Sequence, residues 1–68
     1  MPAWRDSVIL LDAVNEKLDH AIKCNSCKMK IPELEKLRCD ISKNAHKIDC
    51  DKQIKHTYNM LVMMIVFS

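Results

Sequence analysis

Glycine is absent from all 68 residues of this chain. At an average usage of about 7%, roughly five would be expected. Phosphate-cradling loops, dinucleotide fingerprints, EF-hand loops and hydrolase nucleophile elbows are each written around glycine, which supplies a positive φ or a close backbone approach. None of them can be written here. Tight two-residue hairpins also lose their best turn residue, which counts against a compact all-β fold. Helices remain, and the turns between them must form without the residue that most often ends a helix. At the first such turn, Asn25 is the only favourable substitute for it.

The first third of the chain has helical spacing. Trp4, Val8, Leu11, Leu18 and Ile22 fall on one stripe, with Val14 and Ala21 beside them. The pattern predicts an amphipathic helix over about residues 3–23. Pro2 is tolerated in a first turn, where its missing N–H costs nothing. Asp6 near the start and Lys17 and Lys23 near the end suit the helix dipole. Asp19 and Lys23 form a favourable i,i+4 pair. Counted as a coiled-coil seam 8, 11, 15, 18, 22, the stripe meets Asn15 at its centre. A single polar residue in such a seam can set register and oligomer state. The alternative, preferred here, runs the stripe through Val14 and leaves Asn15 at its edge.

Residues 24–31, CNSCKMKI, break the pattern and precede Pro32, so they read as a connecting turn. Ile31, ahead of a proline, is biased toward extended geometry. A second helix is predicted over about residues 32–49, with Glu33 and Glu35 in its first turn and Leu34, Leu37, Ile41, Ala45 and Ile48 along one face. It continues or restarts to about residue 66 through Ile54, Tyr58, Leu61 and Ile65. A split near residue 50 is expected, because Asp49 and Asp51 favour a cap or turn. The fold class expected is therefore all-α: a hairpin of two amphipathic helices joined by a cysteine-bearing turn, in one small domain spanning 1–68.

Residues 60–67 are eight apolar positions in a row. A membrane-spanning helix needs about 20. The run reads as a helix end packed on the first helix or on another chain, in preference to a short strand.

The four cysteines, Cys24, Cys27, Cys39 and Cys50, are spaced C-x2-C-x11-C-x10-C. The short-spaced pair lets two thiolates reach one tetrahedral ion, and zinc is the ion this chemistry suggests. His46 and Cys50, at i and i+4, share a helix face, and Cys39 lies close to it. On a continuous helix Cys39 and Cys50 stand about 16 Å apart, too far to share one ion. The candidate ligand sets are thus Cys24, Cys27, His46 and Cys50 if the helix breaks, or Cys24, Cys27 and Cys39 with a fourth ligand unassigned. The competing readings are small buried hydrophobes or free thiols, and a disulfide or redox pair. Asp49 and Asp51 lie on different helix faces and read as solvated.

The segment LDHAIKCNSC, a helix running directly into C-x2-C, resembles the opening of RING ubiquitin ligases of the heterodimeric kind. In that family a cysteine, a histidine one to three residues later and two further cysteine pairs follow. Here Cys39 is followed by Ile41, Ser42 and Lys43, and no second C-x2-C exists. The resemblance therefore implies at most a first knuckle, without the cross-brace and without ligase activity.

A domain of about 60 residues buries only about 60% of its unfolded surface and usually needs a disulfide, a metal or a partner chain. Asp6 and Asp12 crowd the short apolar run Val8 to Leu11, and no small-residue cleavage site follows, so the N-terminus does not read as a signal peptide. The expected location is intracellular, cytoplasmic or nuclear, where cysteine clusters are more often ligands than disulfides. Residues 23–56 carry a net +4, but the lysines are mixed with acids, Arg38 is the lone arginine and no aromatic is present. Nucleic-acid binding is not expected.

The function expected is a non-enzymatic helical interaction or adaptor module. It binds a partner helix or a second copy through Val8, Leu11, Asn15, Leu18 and Ile22 and through Leu61, Met64, Ile65 and Phe67. The alternative is a small regulatory module, zinc-knuckle or degenerate RING-like, holding one zinc ion on the cysteine and histidine set above. Ranked third is peripheral membrane contact through the apolar tail and the lysines before it. No catalysis is expected: His46 and Cys50 can be drawn as base and nucleophile, but two helices enclose no substrate pocket of about 300 Å³.

Overall fold

The first helix is selected by what it can bury. Ser7, Leu10, Val14, Leu18 and Ala21 follow one another at steps of three and four, and all five are buried. A computed structural model of the chain describes residues 5–67. It contains α1 (Asp6–Lys23), a 3₁₀ segment (Asn25–Lys30), α2 (Ile31–Lys43), α3 (Ala45–Cys50) and α4 (Lys52–Val66). The expected start of the first helix, with Pro2 and Trp4, lies outside the described residues.

The all-α class stands, and among the described residues there are four α-helices in place of a two-helix hairpin. The second arm is cut twice. At Asn44 both the backbone N–H and the side-chain Nδ2 donate to the Asp40 carbonyl, at 3.1 and 2.9 Å, which closes α2. At Asp51 the backbone turns extended (φ −119, ψ 114), and the carboxylate accepts from the N–H groups of Gln53 and Ile54. Asp51 is thus the N-cap of α4, a role that suits its short acceptor side chain. The break expected near residue 50 is this one; the break at Asn44 is additional.

Leu34, Leu37 and Ile41 of α2, Ile48 of α3, and Tyr58 and Val62 of α4 meet the buried stripe of α1 in one core. That stripe passes through Val14, so Asn15 is exposed. It lies beside the buried stripe, not in it. A helix turns only one stripe toward its partners, and here the partners cover the Leu10–Val14 side. Val8 and Ile22 are left exposed, while Leu18 is taken into the chain's own core.

Two sequence expectations about the turn are corrected. Ile31 is helical (φ −56, ψ −49), not extended. Pro32 falls in the first turn of α2, where no N–H is needed, and Ile31 packs against the core. No described residue has a positive φ. The chain leaves α1 through an extended Cys24 (φ −103, ψ 119), so neither glycine nor Asn25 is required in a left-handed cap.

Asp49 is not simply solvated. Its carboxylate accepts from the Ser7 N–H and the Ser7 hydroxyl, both at 3.0 Å. Arg5 at the N-cap of α1 makes no side-chain cap bond, so α3 supplies the cap from 42 residues away. The Ser7 backbone bond is the main cause holding the Asp49 carboxyl below its ordinary value, joined by the Ser7 hydroxyl and the charge of Arg5. Ser7 is 3% exposed, a buried polar residue whose hydrogen bonds explain its burial. Lys55 pairs with Asp6 at 3.1 Å. The Tyr58 hydroxyl donates to Asp40 at 3.1 Å, so α4 is tied to both α1 and α2.

The apolar tail is helix, as expected. Val62 is buried, and Ile65 and Val66 pack against the core. Met60, Met63, Met64 and Phe67 are exposed. Among the described residues no helix is long and apolar enough to cross a membrane.

Candidate metal centre

The end of α1 arranges three donor side chains within eight residues. His20 lies in the last turn of the helix. Cys24 is the first residue out of it, and its N–H still donates to the His20 carbonyl at 2.9 Å. That bond keeps the helical i,i+4 step, so the side chains of residues 20 and 24 stay on one side. The chain then tightens into 3₁₀ geometry, and the Cys27 N–H donates to the Cys24 carbonyl at 3.2 Å. A 3₁₀ turn places residues i and i+3 above one another, which brings Cys27 back over Cys24.

The result is a group in which one ring nitrogen of His20 and the sulfurs of Cys24 and Cys27 all lie within 4.8 Å of one another. Ligand atoms around a tetrahedral zinc, bound at about 2.0–2.3 Å, stand about 3.5–3.8 Å apart. Small side-chain rotations therefore separate this group from a ligand set. His20 is exposed, and the two cysteines are half-buried. All four cysteines of the chain are free thiols.

The sulfurs sit in a polar environment. The Ser26 hydroxyl is 3.0 Å from Cys24 Sγ and 4.0 Å from Cys27 Sγ. The Cys24 thiol is lowered to about 7, first by the Ser26 hydroxyl, then by the Cys27 side chain and the Ser26 backbone, against a smaller opposing effect of burial. A thiolate is the form that binds metal or reacts as a nucleophile. One nitrogen and two thiolates form a soft to borderline donor set, suited to Zn²⁺ or Cu⁺ and unsuited to Mg²⁺ or Ca²⁺. Three protein ligands leave a fourth position of a tetrahedral ion for water or for a donor from another molecule.

The remaining candidate ligands lie apart from this group. Cys39 is exposed on α2. On α3, His46 Nδ1 and Cys50 Sγ stand 4.0 Å apart. Among the described residues the one set of three or more mutually close donors of this kind is His20, Cys24 and Cys27. Neither four-ligand set read from the sequence is gathered into a group of mutually close donors. His20 was missed. The i,i+4 step that links His46 to Cys50 also links His20 to Cys24, but it goes unread once Cys24 is assigned to a turn instead of a helix end.

The sequence-derived partner surface is divided. Leu18 is buried, Leu11 and Ile65 are half-buried, and Val8, Asn15, Ile22, Leu61, Met64 and Phe67 are exposed. His20 also borders an open groove between α1 and the end of α4, with Lys17, Val66 and Phe67 among its other walls.

No protein-family model, curated protein or solved structure matches the chain. The resemblance of its first cysteine pair to a RING opening gains no support from these comparisons.

Proposed function

We propose that this chain is a small, non-enzymatic metal-binding module in which His20, Cys24 and Cys27 take up one ion of the zinc class. The observation that carries the reading is the closeness of the three donor atoms, within 4.8 Å, on a single stretch of eight residues. The ion would join the last turn of α1 to the 3₁₀ segment and so brace the entry into α2. A chain of this size gains from such a staple. Native mass spectrometry of the reduced protein is expected to show one zinc per chain, and a chelator is expected to lower its melting temperature. Absence of zinc uptake by the folded, reduced protein would sink this reading.

A second reading, the helical interaction module, is favoured by a separate observation. Met60, Met63, Met64 and Phe67 are exposed at 52, 59, 65 and 77% on the outer side of α4. Methionine-rich surfaces adapt to varied partners. A partner protein or a second copy covering this face should be lost in Met64→Glu, as read by solution mass over a concentration series. If the wild-type mass stays that of one chain and Met64→Glu changes nothing in solubility or binding, this face is only surface.

A further inference from the structure

We propose that Cys24 and Cys27 are a reversible dithiol pair, closing a disulfide with each other under oxidation and thereby releasing the ion of the proposed centre. This rests on the metal reading above. The geometry points to an internal linkage. The two sulfurs are mutually within 4.8 Å, and the backbone between them is one closed turn, held by the Cys27 N–H to Cys24 carbonyl bond. A bond of about 2.05 Å requires the two side chains to swing toward each other without unfolding a helix. Both side chains are half-buried, so a small oxidant reaches them. Cys39 and Cys50 serve as internal controls. They are exposed, and neither belongs to the group that unites Cys24 and Cys27.

The oxidant is a hydroperoxide, and the step balances. One thiolate attacks a peroxide oxygen, the O–O bond breaks, and the departing hydroxide takes a proton from solvent to become water. The second thiolate attacks the sulfur of the sulfenic acid so formed; the S–O bond breaks, and a second hydroxide leaves as water on protonation. Two electrons pass from the sulfur pair to the peroxide. The sulfurs that held the ion now hold each other, and His20 alone does not retain it.

The test uses the full chain. Reduced protein is first loaded with zinc and its metal content measured. It is then titrated with hydrogen peroxide while free zinc is followed with a chelating dye, and the product is mapped by mass spectrometry. The expected result is one zinc released per chain, with a Cys24–Cys27 linkage and recovery of binding after reduction. The Cys39→Ser/Cys50→Ser double variant should release zinc as the wild type does, while Cys27→Ser should lose the linkage altogether. Retention of zinc after oxidation, linkages through Cys39 or Cys50, or sulfinic acids in place of a disulfide would overturn the proposal while leaving the metal reading intact. Failure at the loading step overturns the metal reading itself, and the map then shows whether the dithiol pair closes without it.

Discussion

Two breaks in this chain share a local geometry and differ in chemistry. At Cys24 and at Asp51 the backbone leaves a helix in the extended region, at φ −103, ψ 119 and φ −119, ψ 114. Each break residue donates its N–H to the carbonyl four residues back, His20 in one case and Lys47 in the other. Asp51 caps the next segment with its carboxylate, whereas Cys24 makes no side-chain cap bond and its sulfur lies 3.0 Å from the Ser26 hydroxyl. At the first break the residues four before, at and three after are His20, Cys24 and Cys27; at the second they are Lys47, Asp51 and Ile54. Beyond the bend the two diverge: a 3₁₀ segment follows Cys24, with the Cys27 N–H on the Cys24 carbonyl, and three candidate donors gather; α4 follows Asp51, with the Lys55 N–H on the Asp51 carbonyl, and the aspartate makes an ordinary N-cap. Two things thus separate the breaks, the geometry of the segment that follows and the identity of the side chains it carries. The second break has its own histidine and cysteine, His46 and Cys50, but these sit one residue out of phase with the bend. They pair at 4.0 Å without a third donor.

The largest effect expected from this comparison is on metal affinity. Changes that merely reorient a ligand typically cost 10–100-fold, so removing one, as in Cys27→Ser or His20→Ala, should weaken zinc binding by more than about 100-fold. Cys50→Ser and His46→Ala should leave it unchanged. Competition against a chromogenic chelator reads both, and equal effects at the two breaks would erase the distinction.

The converse variant builds the first break's chemistry into the second. Lys47→His/Asp51→Cys/Ile54→Cys should bind a second zinc, counted by native mass spectrometry. If the variant folds and still binds a single ion, the bend is not sufficient to gather ligands.

Core anchors beyond the first break and before the second should matter alike for stability and not for the ion. Leu34 and Ile48 are 0 and 1% exposed. Leu34→Ala and Ile48→Ala should each cost about 2–5 kcal/mol in urea unfolding. Under conditions where both variants stay folded, zinc affinity should hold, because the ligands are local to residues 20–27. A loss of affinity in the folded variants would show that the core, and not the turn, positions the donors.

The smallest effect is the acid response of the α1 cap. The Asp49 carboxyl is lowered in the folded chain by its bonds to Ser7. Its contribution is therefore fully present above the unfolded carboxylate value of about 3.9 and is lost as pH falls through the lower folded value. Melting temperatures taken from neutral pH downward should decline less steeply in Asp49→Asn than in the wild type. Parallel curves would mean the bond adds nothing to stability.

Much of this molecule was legible in the sequence because much of it is local. The helical steps of α1, the acidic start of α2, the break near Asp51 and the pairing of Cys24 with Cys27 all depend on residues three or four apart, where helix geometry sets the neighbours. The missed candidate donor, His20, was local as well. The spacing H-x3-C-x2-C was visible, and what went unread is that the i,i+4 step persists from the last helical turn to Cys24, the first residue beyond it.

Other features were not legible, for a different reason. On α1 the stripes through Val14 and through Asn15 are adjacent and similarly apolar, and which one is buried depends on where Leu34, Ile41, Ile48 and Tyr58 arrive later in the chain. Asp49 became a cap for Ser7 only because α3 ends beside the start of α1. The sequence by itself determined a helical chain whose turns dispense with glycine, together with the donor types and their spacing. The tertiary structure alone decided which apolar stripe became core and which carboxylate became a cap. Spacing along a helix is set by its own hydrogen bonds, whereas contacts between helices follow from the packing of the whole chain.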